Sequence, residues 1–222
     1  MAATVLDLLL PQRCVVCRSP GGQLCARCLE CLPRLIGPVC ERCGAPTAWP
    51  VRRCRECAGR RLAFACARAA LVYDTAVRSL VSAWKERGIR RLARVAATLV
   101  AEVVPRPEVV AVAYVPPDGD RSVRRGHHPA ERLARELAAQ WELPAERLLA
   151  RTREVGQQRG LRLAERRRNV RGAFRPLGRA PPRVVLVDDV YTSGATAAAA
   201  ASALRRAGAR RVEVVTFARA VR

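Results

Sequence analysis

Eight cysteines near the start of the chain form four pairs of identical spacing. Two residues separate the cysteines of each pair, a spacing that lets two thiolates on a tight turn bind one tetrahedral metal ion. The pairs are Cys14 and Cys17, Cys25 and Cys28, Cys40 and Cys43, and Cys54 and Cys57. An all-cysteine ligand set leaves no coordination position open for a substrate, so we predict structural Zn²⁺.

Other interpretations of these cysteines stay open from the sequence alone. An iron–sulfur cluster uses the same thiolates, and a disulfide framework would require an oxidising compartment. Eight thiolates can hold one ion or two, and either neighbouring or alternate pairs can join. Cys31 also forms a competing pair with Cys28. Cys66 adjoins an apolar run, and we expect it to be a small buried hydrophobic residue rather than a nucleophile.

A second segment suited to chemistry is residues 184–196, which read VVLVDDVYTSGAT. Its apolar start predicts a buried strand, and its hydroxyl and glycine residues predict a loop that leads into a helix. Such a loop directs backbone N–H groups and the positive end of the helix dipole at one point, where a phosphate binds. The candidate phosphate-binding residues are Val190, Tyr191, Thr192, Ser193, Gly194, Ala195 and Thr196.

Two acids, Asp188 and Asp189, precede this loop. They would repel a phosphate at contact distance, so we expect their carboxylates to face neutral hydroxyl groups or a divalent cation. A phosphate on one side and adjacent hydroxyls on the other describe a ribose 5-phosphate.

The charge of the chain indicates a polyanionic partner. It has 41 basic and 19 acidic residues, a net charge of +22, which favours nucleic acid or phosphorylated metabolites. A solvated basic surface is the alternative, because all the basic residues except Lys85 are arginines, which suggests a general compositional bias. The single lysine, Lys85, is a candidate for a role that arginine cannot fill, such as a phosphate ligand.

The remaining pattern predicts the elements that position these residues. No cysteine follows Cys66, so we predict a cysteine-rich zinc-binding domain over residues 1–66 and a second domain over residues 67–222. In the second domain, apolar strands alternate with helical faces, which predicts a mainly parallel α/β sheet flanked by helices. No apolar run reaches about 20 residues and no secretory signal is visible, so we expect a cytoplasmic protein without a membrane span.

Residues 184–196 resemble the phosphoribosyl pyrophosphate (PRPP) signature of type I phosphoribosyltransferases. Further segments narrow this resemblance: YDTAVRSLVSAWKERG, the RRG that follows VPP, and QRGLRLAERRRNVRGAF. Together with the cysteine-rich start, their order resembles the competence-protein ComF family over nearly the whole chain.

The resemblance implies a type I phosphoribosyltransferase-like fold and roles for individual residues. Asp188 and Asp189 would bind the ribose hydroxyls and Mg²⁺, residues 192–196 would hold the 5-phosphate, and residues 151–174 would form a mobile loop. The residues expected near PRPP besides these are Val115, Pro116, Pro117, Arg125, Arg153 and Lys85. The chain departs from the family in one run: where the family has an RGFNQ-like sequence, this chain reads Arg125, Gly126, His127, His128 and Pro129.

We therefore predict phosphoribosyl transfer from PRPP to an unidentified acceptor in competence or DNA uptake. The alternatives are a PRPP sensor without turnover and a non-catalytic single-stranded DNA-binding protein, with competence or DNA-processing proteins as possible partners. A DNA-binding protein needs exposed rings, which Trp49, Phe64 and Trp84 would supply only if they lie on the surface. We expect His127 and His128 to be loop or helix-capping residues.

Overall fold

A computed structural model describes residues 12–117, 128–152 and 172–221, and the structural statements below concern these residues. In the described part of the cysteine-rich segment, from residue 12 on, one short helix, α1, lies among tight turns. The elements are, in chain order, α1 (Ala26–Glu30), β1 (Cys66–Val72), α2 (Thr75–Lys85), α3 (Leu92–Val103), β2 (Ala111–Tyr114), α4 (Pro129–Trp141), β3 (Ala145–Glu146), β4 (Leu149–Arg151), β5 (Phe174–Pro176), β6 (Arg183–Tyr191), α5 (Ala195–Arg206) and β7 (Arg211–Arg219).

Five strands form one parallel sheet in the order β1-β7-β6-β2-β3. Strands β4 and β5 form a separate antiparallel pair. The predicted fold class, a mainly parallel sheet flanked by helices, is confirmed. Because the strands are parallel, the carboxyl ends of β2 and β6 lie at the same edge of the sheet.

The helices begin where the sequence supplies caps. The Asp74 carboxylate accepts a hydrogen bond of 2.8 Å from the Val77 N–H at the start of α2. Helix α4 begins at Pro129, which has no N–H to leave unpaired, and His128 Nδ1 accepts from the Glu131 N–H at 2.9 Å. The structure thus assigns His128 the predicted capping role, whereas His127 lies outside the described residues.

Two apolar cores lie on opposite faces of the sheet, since successive residues of the central strands β2 and β6 belong alternately to one core and the other. Helices α2, α3 and α4 cover the first core, which also contains Val15 and Leu32 from the cysteine-rich segment. Helix α5 covers the second core, together with Cys40, Cys43 and Cys57. The segments that carry the first two and the last two cysteine pairs therefore pack against opposite faces of the sheet.

Strand β6 is longer than the apolar run 184–187 that predicts it. It pairs with β7 as far as Tyr191, opposite Arg219, so both acids and Val190 lie within the strand rather than in a loop. Strand β1 begins at Cys66, which is half-buried, and burial raises the pKa of its thiol. The domain boundary at residue 66 stays a prediction.

Candidate functional site

The eight paired cysteines form two groups of four. Neighbouring pairs join: Cys14, Cys17, Cys25 and Cys28 form the first group, and Cys40, Cys43, Cys54 and Cys57 form the second. Cys31 is exposed and belongs to neither group. This arrangement resolves the pairing that the sequence left open.

The sulfur positions fit a tetrahedral zinc ion. Four sulfurs bound at about 2.3 Å to one ion lie about 3.8 Å apart. The Sγ atoms of Cys17 and Cys25 are 3.7 Å apart, and those of Cys40 and Cys57 are 3.6 Å apart. Hydrogen bonds with Ser19 lower the pKa of Cys17 to about 6, which favours the thiolate that zinc requires. The two groups therefore suit structural Zn²⁺.

The predicted acid pair lies at the carboxyl end of β6, beside Lys85 at the end of α2. Lys85 Nζ is 2.6 Å from Asp189 Oδ2, and the Asp189 side chain is 13% exposed. The Asp188 carboxylate accepts a hydrogen bond of 2.9 Å from the Asp189 N–H. The position of Lys85 follows from the sequence of α2, whose buried residues, Val77, Leu80, Val81, Ala83 and Trp84, fix the face on which the helix packs.

Among the described residues, the positive groups near the acid pair do not fully offset the effect of burial on Asp188. Burial and the neighbouring Asp189 carboxylate raise the pKa of Asp188 to about 7, although Lys85 and Arg151 act in the opposite direction. Burial opposes ionisation of Lys85, but Asp189 outweighs it and raises the pKa of the Lys85 ammonium group. A divalent cation or a set of hydroxyl donors would supply the charge compensation that Asp188 lacks.

The predicted phosphate loop leads from β6 into α5. Gly194 is the residue before the helix and has a positive φ of 70°, which an L-residue with a side chain rarely adopts. Ser193 Oγ accepts from the Ala195 N–H at 3.3 Å. Thr192 is exposed, while Ser193, Ala195 and Thr196 are half-buried. The backbone N–H groups at the start of α5 and the positive end of the helix dipole make this loop a suitable anion-binding element.

The proline pair after β2 lies at the same edge of the sheet. The Val115 N–H donates to the Val187 carbonyl at 3.0 Å, which places Pro116 and Pro117 beside the end of β6. The Pro116 carbonyl accepts from Arg151 Nε at 3.2 Å. The predicted residues Arg125 and Arg153 lie outside the described residues.

Three arginines next to these elements have no distinct signal in the sequence. They are Arg151, which contacts Pro116, Arg60, which donates to the Ser193 carbonyl, and Arg219, which lies over the Tyr191 ring. Nothing distinguishes them among so many arginines, and their partners are distant in the chain. A motif search detects residues adjacent to one another in sequence and so misses such contacts.

Comparison with known proteins agrees with the geometry of the cysteines. Residues 5–58 match the double zinc ribbon domain family. The chain is 34% identical over 115 residues to Competence protein F of Haemophilus influenzae, covering 50% of each chain. The predicted resemblance to the ComF family is confirmed. The chain is also 38% identical over 99 residues to DNA utilization protein YhgH of Escherichia coli O157:H7, covering 42% of each chain. The matched part of the chain thus covers half of the length of the first relative and less than half of the second.

Parts of the chain are also similar to solved structures. Glutamine PRPP amidotransferase from B. subtilis matches with 25% identity and a TM-score of 0.40, over 56% of this chain and 25% of that one. Orotate phosphoribosyltransferase from Aeropyrum pernix matches with 25% identity and a TM-score of 0.36, over 67% of each chain. No described helix of the present chain is long and apolar enough to cross a bilayer.

Proposed function

We propose that this chain is a phosphoribosyltransferase-like protein that binds PRPP with Mg²⁺ and acts in competence or DNA uptake. One observation carries the proposal: a half-buried pair of carboxylates at the end of β6, with a lysine on one of them, directly before a loop that opens α5. The names of the two relatives, a competence protein and a DNA utilization protein, support the cellular role.

The proposed roles divide between the loop and the acids. Residues 192–196 would bind the 5-phosphate through backbone N–H groups and hydroxyls, and Asp188 and Asp189 would accept hydrogen bonds from the ribose hydroxyls. The same carboxylates would hold Mg²⁺, directly or through water, and the ion supplies charge neutralisation for the pyrophosphate. Lys85 forms an ion pair with Asp189 and holds its carboxylate in place.

The proposed reaction is a displacement at C1 of the ribose. A ring nitrogen of the acceptor forms a bond to C1 as the C1–O bond to pyrophosphate breaks, and pyrophosphate leaves with the bonding electrons. The chain would accelerate this step by holding the sugar phosphate in one orientation and by excluding water, rather than by acid–base catalysis. Pro116 and Pro117, at the same sheet edge, would face the pyrophosphate.

Ligand-dependent unfolding tests the proposal. A ligand present at about 100 times its Kd stabilises the folded state by about 2.7 kcal/mol, so PRPP with MgCl₂ is expected to raise the Tm of the zinc-loaded protein. The double substitution Asp188→Ala and Asp189→Ala should abolish this rise. Glu108→Ala is the matched control, because Glu108 is 91% exposed and pairs with Arg183 at the opposite end of β6. No rise for the wild-type protein would contradict the proposal.

A single conservative substitution separates ligand binding from structure. Asp188→Asn removes a charge that burial disfavours and keeps an oxygen for the Asp189 N–H. Because the pKa of Asp188 is raised to about 7 in the folded protein, its carboxyl costs stability progressively as the pH rises above about 4, where it ionises in the unfolded chain, and costs most above about pH 7. At pH 8 we therefore expect this variant to be more stable by on the order of 1–3 kcal/mol. It should nevertheless lose the PRPP-dependent rise in Tm. Reduced stability together with retained PRPP binding would contradict the assigned role.

Single-stranded DNA binding is the second candidate function, and one exposed ring favours it. Trp49 is 68% exposed and precedes the exposed Arg52 and Arg53, whereas Phe64 and Trp84 are each 1% exposed and cannot stack on bases. Stacking of one base on an aromatic ring contributes about 1–3 kcal/mol. Trp49→Ala should therefore weaken binding to a single-stranded oligonucleotide at least fivefold at raised salt, and Trp49→Phe should retain it. Equal affinities of the wild type and the alanine variant would rule out this ring as a platform.

A further inference from the structure

The second zinc ribbon, residues 40–60, contacts the elements that carry the phosphate loop. One of these contacts is made by Arg219, the last residue of β7, whose side chain is 1% exposed. One guanidinium nitrogen of Arg219 donates to the Cys43 carbonyl at 2.6 Å, and another lies 2.6 Å from Glu56 Oε2. Cys43 is a zinc ligand of the second group, so Arg219 is fixed by the metal-binding turns themselves.

The same guanidinium lies over the ring of Tyr191, the last residue of β6, at 4.6 Å from the ring centroid. Phe64 contacts this ring edge-on, with the centroids 6.3 Å apart. Gly194 also lies close to Tyr191, because a Cβ added to Gly194 would overlap the Tyr191 ring. A continuous series of contacts therefore runs from the turn at Cys43 through Arg219 and Tyr191 to Gly194, the residue before α5.

A second contact reaches the loop directly. Arg60 donates to the Ser193 carbonyl at 2.6 Å, and the Arg60 N–H itself donates to the carbonyl of the zinc ligand Cys57 at 3.2 Å. Because a trans peptide is planar, fixing the Ser193 carbonyl also fixes the Gly194 N–H, which points the opposite way. That N–H is one of the donors proposed for the phosphate, and Arg60 holds it directed away from the ribbon.

The first zinc ribbon, residues 12–35, has a different environment. Its apolar residues Val15 and Leu32 pack into the core covered by α2, α3 and α4. Arg34 bonds the Leu29 and Glu30 carbonyls and pairs with Glu102 of α3. Within the described ranges, no hydrogen bond or ion pair joins residues 12–35 to residues 188–196. Only the second ribbon is connected to the loop.

We infer that Arg60 and Arg219 are positioning residues through which the second zinc ribbon sets the shape of the phosphate loop. This inference deepens the proposed function and rests on it for the identity of the ligand. Phosphate binding then depends on the second ribbon and its metal, and not on the first. Neither arginine needs to touch the ligand for this dependence to hold.

Hydrogen–deuterium exchange of the full-length, zinc-loaded protein without ligand tests the coupling. In Arg60→Ala, the amides of residues 192–196 should exchange at least tenfold faster, while those of α4 stay unchanged. Arg60→Lys, which retains a donor, should restore much of the protection. Arg34→Ala is the matched control in the first ribbon and should leave the loop unaffected.

Titration calorimetry with ribose 5-phosphate and Mg²⁺ adds a binding readout. Arg60→Ala and Arg219→Lys should weaken binding at least tenfold with the zinc content unchanged, and Arg34→Ala should bind as the wild type does. If Arg219→Lys does not fold, Arg60→Ala alone decides. Unchanged loop exchange and unchanged affinity in Arg60→Ala would overturn the inference. Faster loop exchange in Arg60→Ala, with no binding by the wild type, would support the coupling and overturn the proposed function instead.

Discussion

Each zinc ribbon binds through two cysteine pairs of the same internal spacing, but the two ribbons differ in what surrounds them. In the first group Cys14 alone is buried and Cys17 is exposed, whereas Cys40, Cys43 and Cys57 of the second are buried against the core beneath α5. The ligands of each metal site are therefore given by the cysteine pairs themselves. Its connection to the rest of the molecule depends on the residues around the pair.

The backbone at one equivalent position of the two ribbons, Arg18 and Gly44, shows this difference. The residue after the second cysteine of the leading pair has a positive φ in both ribbons, 67° at Arg18 and 71° at Gly44. Arg18 is exposed, and its side chain has room. At Gly44 an added Cβ would overlap the Ala67 carbonyl at the start of the sheet, so only glycine fits. The close approach of β1 thus determines the residue in the second ribbon.

The largest expected difference between the ribbons comes from removing one ligand of each. Cys57→Ser should lower the Tm by more than about 10 °C, because loss of the second zinc opens a buried core. Cys17→Ser should lower it by only a few degrees, because Cys17 is exposed and Cys14 is the one buried cysteine of the first group. Thermal unfolding with metal analysis checks this, and each variant should lose one zinc. Equal losses of stability would remove the distinction between the ribbons.

A smaller effect is expected at the glycine against the sheet. Gly44→Ala should reduce the free energy of unfolding by on the order of 3 kcal/mol, from backbone strain together with the overlap. Gly59→Ala is the control: Gly59 has a φ of 69° and open space around it, so we expect about 1 kcal/mol from strain alone. Denaturant unfolding measures both. Similar values would mean that the contact with Ala67 contributes nothing.

The smallest effect is expected in the first ribbon. Arg18→Gly should stabilise the protein by up to about 1 kcal/mol, because it relieves the left-handed strain and leaves the backbone carbonyl that Arg13 contacts in place. The same unfolding measurement applies. Destabilisation by Arg18→Gly would show that the Arg18 side chain contributes to the first ribbon beyond its backbone.

Local chemistry was predictable from the sequence, and long-range contacts were not. The cysteine spacing predicted the eight ligands, and the apolar strands predicted the parallel sheet. The joining of neighbouring pairs required the fold, because the spacing within a pair carries no information about its partner. The contact from Arg219 to Cys43 spans 176 residues, and that from Arg60 to Ser193 spans 133.

Burial was the other property that spacing left undetermined. The sequence does not show which of the rings of Trp49, Phe64 and Trp84 is exposed. The folded structure shows that Trp49 is exposed and that the other two are buried. The length of β6 also depends on the fold. The apolar run 184–187 predicts a strand, and pairing with β7 continues that strand through Asp188 and Asp189 to Tyr191, beside the lysine that partly compensates their charge.

A crystal structure of the zinc-loaded protein with ribose 5-phosphate and Mg²⁺ tests the central claim most directly. The account predicts the phosphate within hydrogen-bond distance of the N–H groups of residues 192–196, and the ribose hydroxyls or the ion on Asp188 and Asp189. A ligand bound elsewhere on the chain, or an empty loop at saturating ligand with Lys85 still on Asp189, would contradict it.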